Sequence, residues 1–415
     1  MKFVKHINRC VLILSFFALG ATAGAQTLEN YQKQAAEENP GLQADYKEFE
    51  AAVQRVSKVG SLPNPTLSLG YFLSPVETRV GPQQARISLS QMFPWFGSLK
   101  ASEARLAEEA EAKYQSFLDS RNRMFLQVAN VWYPLVETDQ KIELEQRNID
   151  LLLNLKEFAL QQFESGKSPM SDVLRVEISI SAAETNLEIL KQERRGLEAR
   201  FNALLNRDSD EDVKVDAELS IEGLGDLQAA DSLLEDNPRL AEIDRKIEST
   251  KHAEEAARKS GLPGFGLGLD YVVVGERSDV DLPDNGKDAV MPMVSVSLPI
   301  FRKQYKAARQ EAQLMRESFE LRKEDVKNTL RADLESAQVQ VYQKAELAQL
   351  YEKQIVETGH VLELLQEEYA NSGADFDEVI RMQQQLISYT KLRAEALAGF
   401  HAALARIRYV TAADL

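Results

Sequence analysis

Ile87-Ser88-Leu89-Ser90-Gln91-Met92-Phe93-Pro94-Trp95-Phe96-Gly97 is the stretch that decides how this chain is built. Up to Gln91 apolar and polar residues alternate, the period-2 signature of a strand with two unlike faces. After Gly97 the pattern turns helical and stays helical to Glu164. Val294-Ser295-Val296-Ser297-Leu298-Pro299-Ile300-Phe301 makes the same change before a second helical run of similar length. A strand-to-long-helix junction that occurs twice points to two copies of one unit.

The copies can be followed outward from the junctions. Upstream, Glu37-Glu38-Asn39-Pro40-Gly41-Leu42 and Glu235-Asp236-Asn237-Pro238-Arg239-Leu240 each break a helical pattern and restart it. Ser61-Leu62-Pro63 and Gly261-Leu262-Pro263 then end those helices. Alternation follows: Leu67, Leu69 and Tyr71 against Ser68 and Gly70, and Phe265, Leu267, Leu269 and Tyr271 against Gly266, Gly268 and Asp270. The reading is a signal segment over 1–25 and a first copy over 26–206, with strands at about 65–73 and 85–93. An acidic joining segment follows over 207–226, then a second copy over 227–415 with strands at about 264–274 and 290–299.

Each copy therefore supplies one hairpin of strands approaching the ~9–11 residues that cross a bilayer. One face of each hairpin carries Leu, Val, Tyr and Phe; the other carries Ser, Gly and Asp. A spanning barrel needs that division, with apolar side chains toward lipid and polar ones toward water. Four strands cannot close a barrel, because the smallest bacterial form has about 8, whereas three subunits would supply about 12. The expected fold is mainly α with a small β part: two repeats of a long helical hairpin plus a two-stranded β-hairpin, in an oligomer whose strands would close the barrel and whose helices could form a closed wall.

A helix from Ser98 to Glu164 would reach ~100 Å, too long for a compact globule. Pro134 is expected to kink or interrupt it near Trp132-Tyr133. Each long run ends in a turn, Glu164-Ser165-Gly166-Lys167-Ser168-Pro169 and Asn371-Ser372-Gly373-Ala374-Asp375, and a helix returns. In the first returning helix a three-four heptad seam runs through Val173, Val176, Ile180, Ala183 and Leu187 to Phe201 and Leu204, interrupted by Arg194. A constant shift maps it onto Val379, Met382, Leu386, Tyr389 and Arg393 through Ile407 and Val410. A strict seven-residue period implies supercoiled packing.

Composition bounds the function. The 415 residues are 44% hydrophobic and 27% charged, with a formal charge of −16. Lys2, Lys5 and Arg9, the apolar run Val11 to Ala18 and the small residues Ala23-Gly24-Ala25 read as a secretory signal. Its removal makes the charge more negative still, so nucleic acid is not an expected partner. Cys10, the single cysteine, lies within that segment, which leaves a mature chain without thiol or disulfide chemistry. No later stretch has the ~18 consecutive apolar residues of a spanning helix.

Nothing reads as an enzyme. His252, His360 and His401 are isolated and lack metal-ligand spacing. Gly264-Phe265-Gly266-Leu267-Gly268 does not open a helix, as a dinucleotide loop must. Asp279 to Gly286 hints at a calcium loop but lacks its closing glutamate. No cofactor, metal site or catalytic residue is expected.

A signal segment, two strand hairpins with long helices, and a strand ending in Ser-x-Ser-Gln-x-x-Pro-Trp-Phe-Gly resemble the outer-membrane efflux proteins of the TolC family. Gln91 to Gly97 is most similar to the subgroup paired with heavy-metal pumps of the cobalt-zinc-cadmium and copper/silver type. Phe163-Glu164-Ser165-Gly166 and Asp172-Val173-Leu174-Arg175 look like the family's helix-turn-helix tip. The resemblance implies a homotrimer in the outer membrane of a Gram-negative bacterium, a trimeric α-barrel forming a large periplasmic part below a 12-strand outer-membrane β-barrel. It would act as a passive duct joined through a periplasmic adaptor to an inner-membrane, proton-driven pump, exporting heavy-metal cations or else drugs, peptides or proteins. A soluble periplasmic coiled-coil protein is the competing class.

The resemblance also assigns sites. Ser165, Gly166, Lys167, Ser168 and Asp172, with Ser372, Gly373, Asp375, Asp377, Glu378 and Arg381, would form the periplasmic mouth and adaptor-docking turns. Asp375 and Asp377 are candidates for a ring of cation-facing carboxylates, against the alternative of helix N-terminal acids offsetting the dipole. Pro94, Trp95, Phe96 and Gly97, and Pro299 and Phe301, would make the two joints between barrel and helix. The second joint lacks a matching glycine and should bend differently.

Overall fold

The computed structural model describes residues 27–215, 217–221, 233–279, 283–372 and 376–412. The signal segment 1–25, Gly373, Asp375 and parts of the joining segment lie outside the described residues. In chain order the elements are α1 (Leu28–Glu38), α2 (Pro40–Val59), β1 (Thr66–Val76), β2 (Gln83–Phe93), α3 (Ser98–Glu164) and α4 (Met170–Leu204). After a 3-10 turn, Leu234–Asp236, come α5 (Pro238–Ser260), β3 (Gly264–Val274), β4 (Ala289–Ser297), α6 (Arg302–Ser372) and α7 (Phe376–Thr411).

The chain is mainly helical with one small antiparallel sheet. Strand order is β1-β2-β3-β4, so the two hairpins lie side by side and β2 pairs with β3 across about 180 residues of intervening chain. Register puts like with like. Leu69 pairs with Ile87, Ile87 with Tyr271 and Tyr271 with Val290, giving an apolar row across all four strands. Among the described residues the sheet is open, with β1 and β4 as unpaired edges.

Helix α3 has 67 residues and α6 has 71. Each is a spine against which shorter helices pack in two tiers. Near the sheet the lateral order is α2-α3-α5-α6. There Lys113 of α3 meets Glu48 of α2 at 2.7 Å, Ser249 of α5 donates to the Arg105 carbonyl of α3, and Lys323 of α6 holds Asp244 of α5 at 2.6 Å. Far from the sheet the order is α4-α3-α7-α6. Lys156 of α3 meets Glu177 of α4 at 2.7 Å, Lys391 of α7 bonds the buried Glu145 of α3, and Arg406 of α7 holds Asp333 of α6 at 2.9 Å. The edges of the two tiers are α2 with α6, then α4 with α6.

The tiers meet where the largest side chains are buried. Tyr31 of α1 packs edge-on to Phe201 of α4 at 4.9 Å and against Trp132 of α3 at 5.2 Å, with Val128, Leu135 and Val136 around them. This core explains why α3 runs through Pro134 without interruption. The proline removes one backbone hydrogen bond, but Trp132, Tyr133, Leu135 and Val136 on both sides are buried and hold the helix in place. The heptad seam of α4 is buried at Val173, Val176, Ile180, Ala183, Leu187 and Phe201. Arg194, which interrupts the seam, binds Asp139 and Glu198 and donates to the Val213 carbonyl at 3.0 Å.

The Asn-Pro motifs have a double use. Asn39 accepts from the Leu42 amide at 3.2 Å, capping α2, and donates to the Leu204 carbonyl of α4 at 3.0 Å. Asn237 accepts from the Arg239 amide at 2.9 Å, capping α5, and donates to the Val410 carbonyl of α7 at 2.7 Å. Proline follows at the first helical position, where no amide donor is needed. Leu204 and Val410 are partners in the shifted seam, so the same knot ties each short helix to the end of a returning one.

Candidate functional site

Three regions have a geometry that sequence alone marks as special: the sheet faces, the joints below the sheet and the turns at the far helix ends. On the sheet, Leu69, Tyr71 and Val294 are each about three-quarters exposed on one face. The other face carries Ser68, Ser88, Ser90, Gly266, Gly268, Ser295 and Ser297, with Met92, Met291 and Met293 interspersed, so it is mixed where the sequence pattern predicts only Ser, Gly and Asp. An exposed apolar face of this extent marks a surface covered by a partner or by lipid. Gln91 is the one amide in the apolar rows of β2. Its Nε2 donates to the Pro63 carbonyl at 2.7 Å and to the Met92 carbonyl at 2.9 Å, so it is satisfied by backbone at the strand end.

At the first joint β2 ends at Phe93 and α3 begins at Ser98. Pro94 leads into a turn in which the Ser98 amide donates to the Trp95 carbonyl at 2.9 Å. Gly97 has φ +77°, and a Cβ there would lie 2.7 Å from Lys259 Nζ. Trp95 stacks on Phe265 of β3 at 5.9 Å, tying the joint to the neighbouring strand. Phe96 is four-fifths exposed. The second joint has no left-handed residue. After Pro299, two successive three-residue turns, Ile300 amide to Leu298 carbonyl at 2.9 Å and Arg302 amide to Ile300 carbonyl at 3.1 Å, carry the chain into α6. Phe301 is exposed beside them, as are Leu298 and Ile300. Exposed aromatic and aliphatic side chains thus lie at both joints below the sheet.

At the far end α3 closes in a left-handed cap. Gly166, φ +74°, donates to the Phe163 carbonyl, and Lys167 donates to the Gln162 carbonyl, both at 2.9 Å. Ser165 donates to the Gln162 carbonyl at 2.9 Å. Lys167 is exposed, whereas Ser168 and Asp172 are buried. Of the second turn, Ser372 is the last residue of α6; Asp377 and Glu378 open α7, and Arg381 pairs with Glu378 one turn on.

The tip joins Ser168, Asp172 and Asp377, all expected there, to Arg175 and Tyr369, to which the sequence reading gave no role. Arg175 on α4 lies 2.5 Å from Asp377 on α7, so Asp377 is engaged by a cation from the other hairpin. Tyr369 on α6 packs against Phe158 of α3 at 5.7 Å and Phe376 of α7 at 4.7 Å. Its hydroxyl sits beside Ser168 and Asp172, yet makes no hydrogen bond of ordinary geometry among the described residues. Burial, then the nearby Asp377 charge, pushes the Asp172 carboxyl above the usual carboxylate range; Ser171 and Arg175 oppose the shift. Burial likewise raises the Tyr369 hydroxyl. Arg175, Ile178, Asp377, Ile380, Arg381 and Gln384 are among the residues lining an open cleft of about 390 Å³ between α4 and α7. The signal for Arg175 was its place one turn after Asp172; Tyr369 gave none.

No known family model and no curated protein matches the sequence. Solved structures do. The outer membrane protein VceC from Vibrio cholerae matches over 92% of this chain and 95% of its own, at 13% identity and a TM-score of 0.74. A membrane protein from Pseudomonas aeruginosa matches over 96% and 99%, at 12% identity and 0.76. CusC matches over 96% and 95%, at 13% identity and 0.70. At such identities the likeness is one of fold, and the fold is that of the TolC-type outer-membrane channels. Among the described residues no helix is long and apolar enough to cross a membrane.

Proposed function

We propose that three copies of this chain form an outer-membrane channel of a Gram-negative bacterium, the passive exit duct of a tripartite efflux system. The observation that carries the reading is a sheet whose apolar face is open and whose two edge strands, β1 and β4, lack partners. Exposed sheet edges pair or aggregate unless closed. Three sheets joined β4 to β1 give a barrel of about 12 strands with its apolar face to lipid.

The helical tier beneath supports the same closure. An aromatic cluster of Tyr46, Phe49, Tyr114 and Phe117 lies on the α2 edge, and exposed Leu314, Met315 and Leu321 lie on α6. Counted along their helices, both patches lie about 15–30 Å from the strands. The α6 edge of one copy therefore meets the α2 edge of the next at matching depth.

In this reading the joints with Pro94, Trp95, Phe96, Gly97, Pro299 and Phe301 sit at the periplasmic membrane boundary. The turns from Ser165 to Asp172 and from Ser372 to Arg381 form the periplasmic mouth. A periplasmic adaptor docks there, coupling the duct to a proton-driven inner-membrane pump, and the contacts of Arg175 with Asp377 and of Tyr369 with Phe158 hold the mouth closed. Heavy-metal cations are the cargo we infer, on the resemblance of Gln91 to Gly97. Fractionation and detergent extraction test the channel: a trimer from the outer membrane that conducts in planar bilayers supports it, and a soluble periplasmic monomer refutes it. Metal sensitivity of a deletion strain, against its sensitivity to drugs, tests the cargo.

A further inference from the structure

The four strands contain 11, 11, 11 and 9 residues and carry two charged side chains, Arg86 on β2 and Asp270 on β3. These two bind each other. They lie on the polar face, where Ser88 pairs with Asp270 and Arg86 with Val272 across β2 and β3. By residue count the pair is about 20 Å above the joint, well inside the span of the strands.

The pair is asymmetric. The Asp270 side chain is fully buried and that of Arg86 is 43% exposed. One carboxylate oxygen bonds the guanidinium; the other, Oδ1, has no hydrogen-bond partner among the described residues. The carboxylate therefore depends on Arg86 for its neutralisation. Arg86 Nη2 also lies 3.9 Å from the thioether of Met293 on β4. Whatever passes along this face meets a guanidinium, with its counter-charge hidden beneath.

We propose that Arg86 and Asp270 are the charge-selecting residues of the exit barrel. Arg86 keeps a buried carboxylate from acting as a trap for cations and presents the ion-facing charge itself. This rests on the channel reading, in which the polar face lines water and three such pairs ring the lumen. Acting as a guard, Arg86 weights the barrel toward small anions over small cations. Once removed, it leaves three bare carboxylates as sites for small cations. A lumen of low-dielectric walls focuses such charges on passing ions.

The test is the reversal potential of channels in planar bilayers under a potassium chloride gradient. Arg86→Gln should raise the potassium-to-chloride permeability ratio by roughly three- to tenfold, and Asp270→Asn should lower it by a comparable factor. The swapped pair Arg86→Asp with Asp270→Arg keeps the ion pair but exposes the carboxylate. It should favour cations, and it serves where a single variant leaves a buried charge and fails to assemble. Arg86→Cys in protein lacking Cys10 should react with cationic and anionic methanethiosulfonates added to the bath, shifting the potential in opposite senses. Conducting channels with an unchanged ratio in these variants, or an inert Cys at 86, would overturn the assignment. Absence of any conducting trimer in the unaltered protein would instead refute the channel itself.

Discussion

Arg175 of α4 and Asp377 of α7 meet at 2.5 Å across the seam between the two helical hairpins, close to the turns at their ends. Both side chains are more than half exposed, so the pair contributes at most about 1 kcal/mol. If the mouth opens by parting α4 from α7, Arg175→Ala should shift the closed-to-open ratio by up to about fivefold. Single-channel recording reads this as raised open probability, and Arg175→Asp with Asp377→Arg should restore the original value. An unchanged open probability in Arg175→Ala would show that the seam does not part there.

Asp172 makes the same seam sensitive to pH. Its carboxyl is raised in the packed tip by burial and by Asp377, with Tyr369 of α6 against it and Arg175 one turn away. The packed tip therefore binds the proton more tightly than an opened one, in which Asp172 returns to the ordinary carboxylate range. The sign follows: the packed tip gains stability as pH falls and loses it as pH rises through the raised value. Conductance should fall as the bath is acidified from neutral toward about pH 4, and Asp172→Asn should flatten that dependence. A pH profile identical in the two proteins would remove Asp172 from the mechanism.

Much of the architecture was legible because period is local. The alternation of Leu67 to Tyr71 and of Ile87 to Gln91 states that one face of each strand is apolar, and the seam from Val173 to Phe201 states which face of α4 is buried. Less legible were contacts that depend on how distant segments meet. Nothing near Tyr369 shows that it will lie between Phe158 and Phe376, and nothing near Asn39 shows that its side-chain amide will reach Leu204. At Pro134 the local rule predicts a kink or an interruption; the helix is not interrupted, and Trp132 and Leu135 are buried on either side of the proline.

Gly97 is the residue on which the first joint turns. Its φ of +77° suits glycine, and a side chain there would also crowd Lys259 Nζ, which lies 3.5 Å from the Gly97 carbonyl. Gly97→Ala should cost about 1–2 kcal/mol from backbone strain. Lys259 can swing away, so Gly97→Ala with Lys259→Ala should recover little, which separates strain from crowding. Thermal unfolding of the purified protein followed by circular dichroism measures both.

The core where the tiers meet predicts the largest loss. Trp132 is 2% exposed and touches both Tyr31 and Phe201. Trp132→Ala should cost about 3–5 kcal/mol, and Trp132→Phe much less. A loss below about 1 kcal/mol for the alanine variant would mean that α1 and α4 repack around the gap.

Asn237 separates capping from tying. Its Oδ1 caps α5 through the Arg239 amide while its Nδ2 donates to the Val410 carbonyl, and the residue is 1% exposed. Asn237→Asp keeps the cap acceptor, which is a preferred one, but it cannot donate to Val410 and sets a carboxylate against a carbonyl. If the tie to α7 matters more than the cap, Asn237→Asp should destabilise by about 1–3 kcal/mol, at least as much as Asn237→Ala. If the cap alone matters, Asn237→Asp should be nearly neutral. Asn39→Asp gives the matched comparison on α2 and Leu204, where the side chain is less buried and the loss should be smaller. Urea unfolding of these variants beside the unaltered protein, read at equal denaturant slope, distinguishes these outcomes.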